Sequence, residues 1–223
     1  AERLVLTNMA AELGCETGIV APDETTLAYL EGAGRSFGSA MLVEWQSDPD
    51  AAYLHHHIVD ISSLGPQIAA PHSPANTDDI AQFTDVEVDQ CYIGACVGAK
   101  DEDLRMAASV LAGQTVAKGT RLLIAPATTG VTQRAASDGT LATLTEAGAI
   151  IMPSGCGACA GMGAGLLAEG ETCLSSTNRN FKGRMGHMGA SVYLGSPYSV
   201  AAAAVTGRIT DPRAILAEGR AAA

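Results

Sequence analysis

The sequence has few basic residues. Its 223 residues include 13 Lys and Arg against 24 Asp and Glu, which gives a formal net charge of −11. The chain therefore lacks the basic surface with which proteins hold nucleic acid or an anionic membrane, and we expect neither as a partner. Any anionic ligand must be bound by a few individually positioned Arg side chains.

Long apolar runs are also missing. No stretch of 18 consecutive apolar residues occurs, and residues 1–3 (Ala-Glu-Arg) show neither the basic start nor the apolar stretch of a signal peptide. We therefore expect a cytoplasmic protein. Its six cysteines are sparse for a chain of this length, so reduced thiols or metal ligands are favoured over a disulfide framework.

Apart from these absences, the sequence is typical of a globular α/β protein. Hydrophobic residues make up 47% of the chain and charged residues 17%, which excludes a disordered chain and a coiled coil. Short β-branched runs alternate with Ala- and Leu-rich segments, and this alternation predicts an α/β fold. A Pro-rich loop over residues 66–74 indicates a subdomain boundary.

The local patterns predict individual helices and strands. Helices are expected over residues 4–13, from Asp23 onward, and over residues 101–111, 131–146 and 201–204. Strands are expected over residues 17–20, 57–61, 88–93, 121–126 and 149–152.

Three cysteines follow the predicted strands. Cys156 and Cys159 form a CxxC turn after residues 149–152, and Cys96 follows residues 88–93. The carboxyl ends of parallel strands are where such sheets bind ligands, and three thiolates suit an iron–sulfur cluster with one iron free of protein ligands. A buried or redox-active thiol pair would give the same CxxC. A structural zinc site would need a fourth ligand, and Cys91 points the other way if its strand is extended.

A second group of polar residues lies about twenty residues further along, at residues 175–186. Arg179 and Arg184 lie five residues apart beside Asn178, as a fork for a substrate with more than one carboxylate would require. A solvated surface loop is the alternative interpretation. Of the remaining candidate ligands, Cys15, Cys91 and Cys173 are interpreted as small buried residues, and His55, His56 and His57 as an exposed strand edge.

These motifs together resemble the large subunit of the aconitase and 3-isopropylmalate dehydratase superfamily. Its characteristic Ile-Gly-Ser-Cys-Thr-Asn, Gly-Cys-x-x-Cys and Asn-Arg-Asn-Phe-x-Gly-Arg correspond to residues 93–98, 155–159 and 178–184. Residues 7–12 and 21–26 extend the resemblance, which is closest to the isopropylmalate and homoaconitate branch. It implies an aconitase-like α/β fold with parallel or mixed sheets flanked by helices. Two related subdomains are expected, part of one over residues 1–84 and one over residues 85–223 that carries the cysteine ligands.

The resemblance also implies roles for individual residues. Three cysteines would hold a [4Fe-4S] cluster: Cys96, Cys156 and Cys159. Other polar residues would bind cluster sulfur and substrate carboxylates or line the same cavity: Asn8, Asn178, Arg179 and Arg184. Glu12, one helical turn after Asn8, would act as the catalytic carboxylate near the departing or returning water.

The implied activity is that of an iron–sulfur hydro-lyase or isomerase acting on a 2-hydroxy di- or tricarboxylate. 3-Isopropylmalate is the leading substrate, with dimethylmalate, methylmalate and homocitrate- or homoaconitate-type acids as competitors. Residues 97–100 replace the family's Thr-Asn-Gly-Arg with Val-Gly-Ala-Lys, which removes a polar amide beside the cluster. The alternatives are a non-enzymatic zinc or redox CxxC module and a cluster-free descendant retained for assembly.

The resemblance implies that the chain acts with partners. The family's amino-terminal half, with its His and Asp motifs, and its swivelling domain have no counterpart here. We therefore expect a polypeptide that supplies that half and a small swivel-domain subunit.

Overall fold

The structure, a computed structural model, describes residues 2–221. The helices are α1 (Glu2–Met9), α2 (Glu24–Gly32), α3 (Ala40–Glu44), α4 (Ala95–Gly98), α5 (Asp101–Leu111), α6 (Thr129–Ser137), α7 (Thr140–Glu146), α8 (Pro197–Thr206) and α9 (Pro212–Ala221). The strands are β1 (Gln67–Ala69), β2 (Thr77–Asp79), β3 (Gln90–Gly94), β4 (Arg121–Ala125), β5 (Ile150–Ile151), β6 (Thr172–Ser175) and β7 (Ser191–Leu194). Short 3₁₀ helices cover Ala10–Leu13, Ile80–Phe83 and Gly157–Ala160.

All seven of these strands form one mixed sheet, in the order β2-β1-β7-β6-β3-β4-β5. The five strands from β7 to β5 are parallel, and β1 and β2 add an antiparallel edge. The expected α/β fold with a mixed sheet flanked by helices is therefore confirmed.

The central strand β3 explains how the core is divided. All five of its residues are buried, as is typical of a parallel strand covered on both faces. Because successive side chains point to opposite faces, Cys91 and Ile93 join the larger apolar cluster, and Tyr92 joins a separate cluster on the other face. Helices α5 and α8 pack against each other, and their buried apolar side chains belong to the larger cluster.

The helix predicted over residues 131–146 is two helices, α6 and α7. The break is at Gly139, whose φ of 85° lies in the left-handed region that glycine adopts without strain. The Asp138 carboxylate accepts a hydrogen bond from the backbone N–H of Thr140 at 3.1 Å and so satisfies the first N–H of α7. The helix predicted over residues 4–13 is α-helical only to Met9 and then continues as a 3₁₀ helix.

Contacts divide the chain into two units: residues 2–8 with 65–221, the sheet unit, and residues 9–64, the outer segment. The predicted loop at 66–74 contains β1, which hydrogen-bonds into the sheet together with β2. The division expected at residue 84, and the relation between the two subdomains, stay predictions.

The outer segment contains helices but no strand among residues 9–64. Asp23 caps α2 as expected, with its side chain accepting a hydrogen bond from the Thr26 N–H at 3.1 Å. The strands predicted at residues 17–20 and 57–61 are wrong, because these β-branched runs find no neighbouring strand for their backbone groups. Cys15 is exposed rather than buried. The three adjacent histidines, His55, His56 and His57, are exposed as expected but do not form a strand.

Among residues 2–221, the structure contains no helix that is both long enough and apolar enough to span a membrane.

Candidate functional site

The candidate site lies at the carboxyl ends of the parallel strands. Strand β3 pairs with β4 on one side and with β6 on the other, so the chain crosses over in both directions from β3. Such a switch point is where open α/β sheets bind ligands. Cys96 follows β3, the CxxC turn follows β5, and the Arg-containing segment follows β6. The geometry predicted for the three motifs thus agrees with the sheet topology.

The turn that carries Cys96 is held by the side chain of Ser176, the residue directly after the neighbouring strand β6. The Ser176 hydroxyl accepts a hydrogen bond from the Gly94 N–H at 3.1 Å and donates one to the Gly98 carbonyl at 2.9 Å. A Cβ at Gly98 would lie 2.1 Å from the Ser176 carbonyl oxygen, so the close approach requires glycine there. Ala95 has a φ of 61°, a left-handed conformation uncommon outside glycine. Cys96 comes next and is exposed.

The CxxC turn is anchored by Tyr92 of strand β3. Cys156 is exposed and Cys159 is buried in the 3₁₀ helix Gly157–Ala160. The Tyr92 hydroxyl donates a hydrogen bond to the Cys156 carbonyl at 3.2 Å. Burial raises the pKa of Tyr92 to about 12, with a contribution from the neighbouring Cys159. Tyr92 therefore stays a hydrogen-bond donor across the physiological range.

The three cysteines share one electrostatic environment. Burial raises the pKa of the Cys159 thiol, the nearby Arg184 guanidinium opposes that shift, and the Cys156 and Cys96 thiols add to it. Among residues 2–221, no three His, Cys, Asp or Glu side chains converge tightly enough to surround a single metal ion. A four-iron cluster binds each cysteine to a different iron, and its ligands consequently stand farther apart than the ligands of one ion.

Arg184 lies beside Cys159. Its Nη2 is 3.9 Å from the Cys159 Sγ, and its guanidinium carbon is 5.4 Å from the centre of the Phe181 ring. The Arg184 Nε is buried without a hydrogen-bond partner among the described residues. An unsatisfied buried donor is rare in folded proteins, and at this position it indicates a group that the chain itself does not supply.

The asparagines of the Arg-containing segment fix its path. The Asn178 amide donates to the side-chain oxygen of Asn8, so two residues predicted to bind substrate are in contact. The Asn180 amide donates to the carbonyls of Ala70 at 2.8 Å and Val192 at 3.1 Å. Its own side-chain oxygen is buried without a partner in the part of the chain that the structure describes. Arg179, between the two asparagines, is partly buried.

The other predicted residues divide into two groups. Cys91 and Cys173 are fully buried, as expected, and burial raises the pKa of both thiols. Cys91 faces the larger apolar cluster, on the opposite side of the sheet from Tyr92 and Cys159. Glu12 is exposed and belongs to the outer segment, and its catalytic role stays a prediction.

Two residues of the site were not predicted. Tyr92 could have been found from the alternation that turns Cys91 away, since the residue after Cys91 must face the opposite side of the sheet. Ser176 gave no comparable signal, because its function depends on β6 lying next to β3, a pairing between segments more than eighty residues apart.

Comparison with known proteins identifies similar chains along nearly the whole length. Residues 1–86 and 77–207 match the profile of the aconitase family (aconitate hydratase). The chain is 45% identical over 215 residues to 3-isopropylmalate dehydratase large subunit 1 of Methanopyrus kandleri, which covers 96% of this chain and 50% of that protein. It is 44% identical over 217 residues to the protein of the same name from Pyrococcus furiosus, again covering 96% and 50%.

A differently named relative is equally similar. The chain is 44% identical over 215 residues to the probable methanogen homoaconitase large subunit of Methanosarcina mazei, which covers 96% of this chain and 53% of that protein. The chain therefore spans about half the length of the curated relatives it matches.

Proposed function

The chain belongs to the aconitase family, and from that membership we propose that it forms the cluster-binding part of a hydro-lyase. The enzyme would remove water from a 2-hydroxy di- or tricarboxylate and add it back in the other orientation. The observation that carries this proposal is the placement of Cys96, Cys156 and Cys159 after strands of one sheet, close enough to interact electrostatically and beside the partly unsatisfied Arg184 guanidinium.

We propose 3-isopropylmalate as the substrate. The names of the Methanopyrus and Pyrococcus relatives favour it, and the name of the Methanosarcina relative makes a homoaconitate-type acid the second candidate. Dimethylmalate and methylmalate carry the same pair of carboxylates and are further candidates. All of these acids are anionic, and in a chain of net charge −11 the Arg residues near the cysteines are suited to bind them.

The residues present fit a [4Fe-4S] cluster. Cys96, Cys156 and Cys159 supply three thiolates, and the nearby Cys91 is turned to the other face of the sheet. Three ligands leave one iron of a four-iron cluster free for substrate. When bound, such an iron acts as a Lewis acid towards the substrate's hydroxyl and carboxylate. Because burial raises the pKa of the Cys159 thiol, binding of iron there must also displace its proton.

The other polar residues would bind and orient the substrate. The Arg184 Nη2 interacts with the Cys159 sulfur, and its free Nε can donate to a carboxylate or to a sulfide. The contact between Asn8 and Asn178 would hold both amides at the cavity, and Arg179 would bind a second carboxylate. Glu12 would exchange a proton with the departing or returning water.

We propose two partner chains, a small subunit and a polypeptide that corresponds to the other half of the relatives' length. The relatives are named large subunits, which supports a small subunit, and the chain matches only about half of each. The outer segment supports the second partner, because none of its residues is buried and it exposes large apolar side chains such as Trp45, Leu54 and Ile58. We also propose that the complex is cytoplasmic, where its free thiols would stay reduced.

Anaerobic reconstitution with iron and sulfide tests the cluster. We expect the broad visible absorbance of an iron–sulfur cluster and about four irons per chain, both lost in Cys96→Ser. Cys15→Ser is the matched control, because Cys15 is an exposed cysteine outside the sheet unit, and it should retain the cluster. One tightly held zinc ion per chain, or a cluster that persists in Cys96→Ser, would refute the proposal.

Activity with the partner chains tests the reaction. Hydration and dehydration of 3-isopropylmalate should require this chain together with both partners. Arg184→Lys keeps the charge but loses the planar guanidinium, so it should lower kcat/KM by at least about tenfold. Cys15→Ser should leave kcat/KM unchanged. Full activity in the Arg184 variant would contradict the role assigned to Arg184. If no combination of this chain with its partners were active, the result would support the alternative of a cluster-free descendant retained for assembly.

A further inference from the structure

A buried ion pair lies directly behind the turn that carries Cys96. The Lys100 Nζ is 2.6 Å from the Asp103 carboxylate, and both side chains are only 9% exposed. Lys100 is the first residue before α5, and Asp103 lies in the first turn of that helix. Removing two charges from water is costly, and a buried pair is weak evidence for stability by itself. Its position therefore invites a more specific explanation.

The pair is hydrogen-bonded into the Cys96 turn. The Lys100 Nζ donates to the backbone carbonyl of Val97, the residue directly after Cys96. The Asp103 carboxylate in turn accepts the backbone N–H of Lys100 at 2.9 Å. The side chain of Lys100 thus folds back over the turn, and Asp103 fixes both its backbone and its charge.

Two anchors then bracket Cys96. Ser176 ties the turn at Gly94 and Gly98, and the ion pair ties it at Val97. Between them, Ala95 keeps a left-handed backbone, with a φ of 61°. A non-glycine residue persists in that conformation only where the surrounding contacts over-determine it.

We infer that Lys100 and Asp103 are positioning residues for Cys96, holding its turn in the conformation that presents the thiolate to a cluster. The inference deepens the proposed function and rests on it for the identity of the bound group. Neither residue touches substrate in this assignment, since both act through the backbone of residues 95–98. The pair also gives a physical reason for a cation at position 100, because residues 97–99 (Val-Gly-Ala) have no side-chain hydrogen-bond donors.

Hydrogen exchange of the full chain tests the inference without needing a cluster. In Lys100→Met/Asp103→Leu, which removes both charges at similar volume, amides of residues 94–99 should exchange about tenfold faster, as expected for losing a buried hydrogen bond worth about 1.4 kcal/mol. Amides of β4 should be unchanged.

The matched control is Asp101→Asn. Asp101 lies in the same first turn of α5, but its carboxylate pairs with Arg134, which is 59% exposed, and not with the turn. It should leave exchange at residues 94–99 unaltered. Unaltered exchange in the double variant overturns the inference, because the turn would then keep its conformation without the ion pair.

Cluster retention in the complex with the partner chains gives the second measurement. After reconstitution, the double variant should lose its cluster to a chelator about tenfold faster than the wild type or Asp101→Asn, a factor that matches the loosened turn. Equal retention would overturn the inference. A wild type that takes up no cluster would instead refute the proposed function, and the exchange experiment would still decide whether the pair holds the turn.

Discussion

The sheet unit and the outer segment both contain Leu, Ile, Val and aromatic side chains, but only the sheet unit buries them. Ile68, Ile93, Ile124 and Leu144 are completely inaccessible to solvent in the sheet unit. In the outer segment, Ile58 is 95% exposed and Leu54 is 92% exposed. Apolar content alone therefore does not decide where a core forms, because strands must also find neighbours that satisfy their backbone groups.

The comparison also separates two kinds of stabilisation. The sheet unit gains hydrophobic free energy from its own chain, which offsets the entropy of ordering its residues. The outer segment buries none of its residues, and its contacts include the capping box at Asp23 and a hydrogen bond from Gln46 to the Pro22 carbonyl at 2.8 Å. Its exposed apolar side chains would add stability only if they were covered.

The largest expected difference is that between two matched isoleucines. Ile124→Ala empties a fully buried position on β4 and should lower the free energy of unfolding by about 2–5 kcal/mol. Ile58→Ala removes the same atoms from an exposed position and should change it by less than about 0.5 kcal/mol. Urea unfolding followed by circular dichroism measures both. Equal losses would mean that the outer segment contributes to the same core.

A smaller effect is expected at the anchor of the CxxC turn. Tyr92→Phe removes the hydroxyl that donates to the Cys156 carbonyl and should cost about 1 kcal/mol. Hydrogen exchange should rise in residues 155–161 and stay unchanged in β3, whose ladder is intact. The control is Tyr53→Phe in the outer segment, where the side chain is 59% exposed and no measurable loss is expected. A Tyr92 variant as stable as the wild type would contradict the anchoring role.

From the sequence, β3, β4 and β5 of the parallel sheet could be predicted, but β6 and β7, which lie on the other side of β3, could not. Strands β3 and β4 were predicted because their continuous apolar runs are bounded by glycine and proline. The short strands β6 and β7 were not, since Thr172–Ser175 and Ser191–Leu194 form strands only because neighbouring strands complete their hydrogen bonds. The same dependence on pairing explains why residues 17–20 and 57–61 were wrongly predicted as strands.

The candidate site shows the same limit. The cysteines and Arg184 could be selected from their motifs, because the residue types themselves carry the chemistry. The residues that support them could not be selected in this way. Ser176 and Lys100 act through the backbone of a turn, and no local sequence pattern predicts the path of that turn. The residue types therefore predict the candidate ligands, and the fold adds the contacts that hold their turns.

The smallest expected effect concerns an exposed ion pair within the sheet unit itself. The Asp101 carboxylate accepts hydrogen bonds from Arg134 at 2.7 and 2.8 Å, and this bonding lowers the pKa of Asp101. A lowered folded-state pKa stabilises the protein above the unfolded pKa of about 4, and the gain is lost as pH falls through the folded value. Asp101→Asn should thus cost at most about 0.5 kcal/mol at pH 7 and nothing once both states are protonated. Urea unfolding at pH 7 and at a pH below the folded-state pKa of Asp101 measures this difference. If burial distinguishes the sheet unit from the outer segment, an exposed ion pair in the sheet unit should contribute no more to stability than an exposed side chain in the outer segment. A loss as large as that of Ile124→Ala would contradict this.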